Sequence, residues 1–124
     1  MLGCAMKTSR AVVFKVSPRA VWEAACQAGA FTGSADDQRD GFIHLSLASQ
    51  LAGTLAKHFR GQNDLLLIQF NAHELGDALR WEISRGGEEF PHLYSALPTA
   101  IATATHSLRL DEDGVPRLPE GFQC

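Results

Sequence analysis

His44 and Ser46 stand two residues apart in the run Asp40-Gly41-Phe42-Ile43-His44-Leu45-Ser46. After the turn residue Gly41 the run alternates as a strand does, so Phe42, His44 and Ser46 share one face while Ile43 and Leu45 share the other. An imidazole gives or takes a proton near neutral pH, and a neighbouring hydroxyl can hydrogen-bond an anion. An apolar-periodic run begins right after Ser46, which predicts a helix capped by that serine. The pair would then sit at a helix N-terminus suited to an anionic ligand. A lone histidine on a strand face also packs or meets solvent without any chemistry, so spacing alone does not name a reaction.

Other side chains could join the pair. Lys15 offers a point charge, and Arg80 or Arg85 a fork for carboxylate or phosphate. Glu82 can orient a hydroxyl or act as a base. His92 and Tyr94, in the aromatic run Phe90-Pro91-His92-Leu93-Tyr94, can bind or stack on a ring. The candidate catalytic residues are therefore His44 and Glu82. His44 and His92 acting as acid and base for a small-molecule substrate is a separate possibility. No metal is expected, because the histidines at 44, 58, 73, 92 and 106 lack the short paired spacing of metal ligands. Gly-x-Ser-x-Gly, Gly-x-Gly-x-x-Gly and Walker patterns are all absent.

The elements that must position these residues follow from periodicity. Ala11 to Val16 reads as a first strand, and Ser17-Pro18 as a cap with proline at the first helical position. The helix runs to Ala28 and stops at Gly29, with Val21, Ala25 and Ala28 as its apolar line and Trp22 and Cys26 beside it. Cys26 is thus expected as a small buried hydrophobe. Phe31 to Ser34 is a short extended piece, and the polar Ala35 to Asp40 reads as a loop. A second helix spans Ala48 to Arg60, with Ala48, Leu51, Ala52, Leu55 and Phe59 as its buried stripe and Gly61 ending it. Leu65 to Phe70 is almost continuously apolar, as in a strand buried on both faces. In Leu79 to Ser84, Leu79, Trp81 and Ile83 are expected to face the core, with Arg80, Glu82 and Ser84 opposite. Pro91 is expected to interrupt regular structure, and Ala100 to Leu110 to form a last strand. The second half has no crossover helices, so the order argues for a mixed α+β domain rather than a doubly wound sheet.

The 124 residues suit one domain, 11–124, behind an N-terminal extension of ten residues expected to be flexible. The net charge of −3 and the absence of a Lys/Arg-rich run exclude the footprint of duplex-binding proteins but leave room for a nucleotide pocket. Three cysteines, two of them at the chain ends, argue against a disulfide framework and for a reducing, cytoplasmic setting. No run is long and apolar enough to predict a membrane span.

The runs Phe14-Lys15-Val16, Trp22-Glu23-Ala24-Ala25, Phe31-Thr32-Gly33-Ser34, Asp40 to Ser46, Arg80-Trp81-Glu82 and Phe90 to Tyr94 together resemble a bacterial family known as domain of unknown function 952. The likeness spans Val12 to Leu110. It implies an α+β fold of the ADP-ribosyltransferase type, a mixed sheet with two main helices. A fainter resemblance leads to RNA 2′-phosphotransferases, NAD-using proteins of that fold whose strand also ends in His-Leu-Ser. They continue into a helix and an apolar strand like Leu65 to Ala72. Where they carry His-Gly-Thr on the first strand, this chain has Lys15-Val16-Ser17.

The resemblance implies a cleft for NAD, ADP-ribose or a related nucleotide. In it Lys15 would neutralise phosphate with Ser17 beside it, His44 would meet ribose hydroxyls or the diphosphate, and Ser46 would add a hydrogen bond. Trp81, His92 and Tyr94 would form walls, and Glu82 or Arg85 would orient the ligand. Two functional alternatives stay open. One is an NAD-utilising transferase or glycohydrolase that cleaves the nicotinamide–ribose bond, with a placed carboxylate stabilising the developing charge. The other is a non-catalytic ligand- or protein-binding module that kept the fold, a reading motivated by the altered first-strand triplet.

Overall fold

The computed structural model describes residues 9–122. Most of the expected flexible extension, together with Cys4 and Cys124, lies outside the described residues. The chain forms one α+β domain in which every strand pair among the described residues is antiparallel, so the expectation of a mixed sheet is corrected. Short connections and hairpins favour this arrangement, because a parallel pair needs a long crossover.

The first strand, β1 (Val12–Pro18), runs beyond its expected end and pairs along its length with β4 (Leu65–Asn71). The sheet order is β1-β4-β8-β9, where β8 is Ala104–Leu110 and β9 is Pro116–Arg117. The nearly continuous apolar run of β4 fills both sides of this sheet. Leu66, Ile68 and Phe70 join Val13, Trp22 and Phe31 in one cluster, whereas Leu65 and Leu67 join Phe14, Leu51 and Leu55 in another. Each such fully buried side chain contributes roughly 1.5–3 kcal/mol relative to exposure.

Helix α1 (Arg19–Ala28) ends at Gly29, whose φ of 90° is the left-handed conformation expected there. Its start differs from expectation. Pro18 occupies the cap, and the Ser17 hydroxyl donates to the Pro18 carbonyl at 3.0 Å instead of capping the helix. Only Trp22 and Ala25 of this helix are buried; Cys26 is exposed, which corrects the expectation of a buried thiol. The short strand β2 (Ala30–Phe31) pairs with β7 (Leu97–Pro98).

The polar segment expected to be a loop is a six-residue helix, α2 (Ala35–Asp40). Ser34 and Asp37 close a capping box at its start: the Asp37 backbone N–H donates to Ser34 Oγ and the Ser34 N–H to Asp37 Oδ2. Gly41, at φ 84°, ends it. The strand β3 (Ile43–His44) follows, then a 3-10 turn at Ala48–Gln50 and helix α3 (Leu51–His58). Ser46 does not cap the helix. Leu47 takes the position before the 3-10 turn, and the Gln50 side chain accepts from the Leu47 N–H at 2.9 Å. Leu51 and Leu55 are buried as expected, but Ala52 is exposed.

Strands β5 (Leu79–Ile83) and β6 (Glu89–Leu93) complete a second sheet of order β3-β6-β5. The proline-bearing aromatic run is therefore its middle strand, not an interruption. Pro91 has no N–H to place; its carbonyl accepts from Leu45 N at 3.1 Å. Trp81 packs against the core as expected, whereas Ile83 is 67% exposed near the sheet's end. The two sheets meet where Phe14 and Ser46 exchange backbone hydrogen bonds of 2.8 and 2.9 Å.

Candidate functional site

The register of the second sheet gathers the polar residues on one face. His44 lies opposite His92, and His92 lies opposite Arg80 on its other side. Alternation then adds Phe42 and Ser46 on either side of β3, Glu82 in β5, Phe90 in β6 and Tyr94 just after it. Between this face, α2 and α3 lies a cleft of about 410 Å³, in the size range of small-ligand sites. Of the residues singled out from sequence, Lys15, His44, Ser46, Arg85 and His92 line it.

The base of the cleft is a buried ion pair. Lys15 Nζ donates to Asp37 Oδ2 at 2.8 Å and to the His44 carbonyl at 3.0 Å, and the two side chains are only 5% and 2% exposed. Asp37 Oδ1 accepts from the His44 N–H at 3.0 Å and faces His44 Nδ1 at 2.6 Å. Burial alone would raise the Asp37 carboxyl, but the bond to His44 and the charge and hydrogen bond of Lys15 outweigh it and hold the carboxyl well below the usual carboxylate range. For Lys15 burial dominates and lowers its pKa against the opposing pull of Asp37. The ammonium expected to meet a ligand phosphate is thus committed to Asp37.

The other ring nitrogen of His44, Nε2, lies 2.9 Å from Asp40 Oδ2 on the cleft side. Asp40 is shared with Arg39, whose hydrogen bond is the main cause of its lowered carboxyl pKa. Phe42 covers the imidazole with ring centroids 4.6 Å apart, and stacks on His92 at 4.1 Å.

A second network starts at Ser46. Its hydroxyl lies 3.1 Å from Thr54 Oγ1, which accepts from Arg85 Nη1 at 3.3 Å. Arg85 also donates to the Gln50 carbonyl at 3.4 Å and lies over the Phe90 ring at 4.9 Å. Among the described residues no carboxylate pairs with Arg85. Gly53 gives the guanidinium room: a Cβ there would stand 3.0 Å from Arg85 Nη2. Nearby His58 has a lowered pKa, from burial first and then from the charges of Arg85 and Lys57.

Glu82, Trp81, Tyr94 and Ser17 lie outside this cleft lining. Glu82 Oε1 accepts from Tyr94 OH at 2.7 Å and faces His92 Nδ1 at 2.8 Å, so it buttresses the His92 wall from the neighbouring strand β5. These bonds lower the Glu82 carboxyl, and the same carboxylate raises the Tyr94 hydroxyl. Arg80 sits over the Tyr94 ring at 4.9 Å. Trp81 points to the opposite face, with Arg10 over it at 4.4 Å. Ser17 is fully buried within β1 of the first sheet, opposite Leu66. Sequence reasoning missed Asp37, Asp40 and Thr54. The spacing Ser34-x-x-Asp37 is the one signal that could have found the first of them. Among the described residues no group of three His, Cys, Asp or Glu side chains is placed to hold a metal ion, and no helix is long and apolar enough to cross a membrane.

Comparison with known proteins gives a family and a fold. The family model described as "Protein of unknown function (DUF952)" matches residues 16–105. The crystal structure of protein CC0527 from Caulobacter crescentus is similar at 50% identity and a TM-score of 0.84, covering 86% of this chain and 93% of that one. The solution NMR structure of the same protein gives 50% identity and a TM-score of 0.78, over 86% and 92% of the two chains. No curated protein matches the chain.

Proposed function

The chain belongs to the DUF952 family, and we propose that it binds a small phosphate-bearing ligand of the nucleotide class in the cleft between its second sheet and helix α3. NAD, ADP-ribose and related nucleotides are the leading candidates. One observation carries this reading: Arg85 is a cleft-lining guanidinium with no carboxylate partner among the described residues, set beside the hydroxyls of Thr54 and Ser46. A planar fork flanked by hydroxyls suits a phosphate group. The resemblance of the His44-Leu45-Ser46 strand end to NAD-using proteins of the ADP-ribosyltransferase type narrows the ligand class. His44 and Ser46 would meet the ribose and phosphate, with Phe90 and His92 as walls. Lys15 serves the site by fixing Asp37 and the His44 backbone.

The donor set fits the phosphate part of such a ligand; the chemistry that NAD would supply is a labile bond between ribose and nicotinamide. The fully buried Ser17 has no part in this reading, and Glu82 acts by supporting His92.

Titration with NAD, ADP-ribose and inorganic phosphate, followed by amide NMR shifts, tests the reading. Saturable shifts around Ser46, Thr54 and Arg85, lost in Arg85→Gln, are the expected result. The absence of shifts at millimolar ligand would overturn it and favour the alternative of a protein-binding module.

A further inference from the structure

The cleft holds a second constellation that ligand binding alone does not use. Asp37 is buried, ionised by its partners, and aimed at Nδ1 of His44 at 2.6 Å, while Nε2 turns toward the cleft. We propose that His44 is a general base of this cleft, with Asp37 as its positioning residue and Asp40 as a removable cover on Nε2.

Both carboxylates can only accept, but Asp37 is buried and stands at 2.6 Å, against 2.9 Å for the partly exposed Asp40, so a ring with one proton carries it on Nδ1. The lone pair is then on Nε2, at the cleft surface. Asp37 cannot swing away: it also receives Lys15 Nζ and the backbone N–H groups of Ser34 and His44. The ring is fixed a second time by Phe42 at 4.6 Å. Asp40, by contrast, sits on the last residue of α2, is partly exposed, and has Arg39 as an alternative partner. When a ligand draws Asp40 off, Nε2 is left as an oriented base. A buried, fourfold-held acceptor behind a cleft histidine exceeds what a structural histidine needs.

The groups facing the ring are Asp37 and Asp40 from α2, His92 from β6 and Phe42 from the bend just before β3. The substrate group is a hydroxyl of the ligand or a water. Nε2 takes the O–H proton while that oxygen forms its bond to the ligand's electrophilic atom. The departing group leaves with the electron pair of the broken bond and recovers the proton from Nε2. No oxidant or further reactant is needed. His44 Nε2 and the Arg85 network lie on one strand face, with His44 and Ser46 spaced by about 6–7 Å along it. An anion on Arg85 would therefore bring its attached sugar or alcohol over the base. This proposal deepens the binding reading above and rests on it for the identity of the ligand, but its proton chemistry is testable without one.

Two measurements on the intact protein decide it. Long-range 1H–15N correlation of the His44 ring at alkaline pH should show the Nδ1–H tautomer; an Nε2–H tautomer would overturn the proposal. Diethyl pyrocarbonate, an electrophile that acylates unprotonated imidazole, should modify His44 slowly while Asp40 covers Nε2. The rate should rise several-fold in Asp40→Asn, which keeps the fold but loosens the cover, and fall on the order of tenfold in Asp37→Asn as the wrong tautomer takes over. If Asp37→Asn does not fold, the wild-type tautomer and Asp40→Asn remain decisive. Unchanged modification in Asp40→Asn, or a His44 in that variant no faster than exposed His106, would overturn the proposal. Protection by ADP-ribose bears only on the binding reading, so the two failures are separable.

Discussion

Lys15 on β1 and Asp37 on α2, 22 residues apart in sequence, meet at 2.8 Å beneath the cleft, both nearly inaccessible to water. This pair ties the first sheet to the helix that carries both carboxylates facing His44. Burying two charges is costly, and the cost is offset here because each oxygen of Asp37 receives two polar groups. Removing one partner strands the other.

Lys15→Met is accordingly expected to destabilise the fold by about 3–5 kcal/mol, whereas Lys15→Met with Asp37→Asn, which removes the buried charge and keeps an acceptor for the backbone N–H groups, should recover part of that loss. Urea denaturation of the two variants checks this. Equal losses in both would show that the ion pair itself carries the stability.

Acid should reveal Asp37 directly. Its folded pKa is depressed, so its contribution to stability is complete above the unfolded carboxylate value and is lost as pH falls toward the lower folded one. The urea midpoint should therefore fall steeply below about pH 4, the ordinary carboxylate range. In a folded Asp37→Asn protein this slope should be shallower.

Arg85→Gln should weaken binding of ADP-ribose by roughly tenfold to a hundredfold, the value of a charge-assisted hydrogen bond of about 1.5–3 kcal/mol. Its stability should stay within about 0.5 kcal/mol of wild type, because its contacts to Thr54 and Gln50 are long. Calorimetric titration alongside thermal melting separates the two effects.

Gly53→Ala gives a prediction of mixed sign. Gly53 sits inside α3 with ordinary helical φ, so alanine gains helix propensity of up to about 1 kcal/mol. The new Cβ would meet the tip of Arg85, a flexible end that can give way. Stability should rise while anion affinity falls. A protein with both unchanged would mean that Arg85 is not held where Thr54 needs it.

Tyr94 is the chain's single tyrosine, so its ionisation can be followed by ultraviolet absorbance. The hydrogen bond to Glu82 raises its pKa, and Glu82→Gln should bring it down toward the ordinary value. An unmoved titration would mean that the carboxylate does not hold the hydroxyl.

Much of the site was legible because strands alternate. Period two places Phe42, His44 and Ser46 together, and the same rule separates Trp81 from Arg80 and Glu82. What the sequence hid was contact between distant segments. Asp37 sits in a polar stretch with no apolar periodicity, so a six-residue helix leaves almost no pattern to read. Its role depends on Lys15, whose charge looked available until the fold buried it. Pro91 argued against a strand because proline cannot donate to a ladder, yet a neighbour as short as β3 asks little of it. Cys26 misled through helix geometry: α1 buries only Trp22 and Ala25, a narrower stripe than its apolar content suggests.

The seam between the sheets has a mechanical consequence. Among the described residues, reciprocal backbone bonds from Phe14 and Ser46 form the bridge between β1 and the end of the His44 strand, and both residues line the cleft. Widening the cleft along that line would break two hydrogen bonds while leaving the longer ladders of each sheet intact. Amide exchange at Phe14 and Ser46 therefore acts as an internal strain gauge. Their protection should register ligand entry before that of any residue deep in β4.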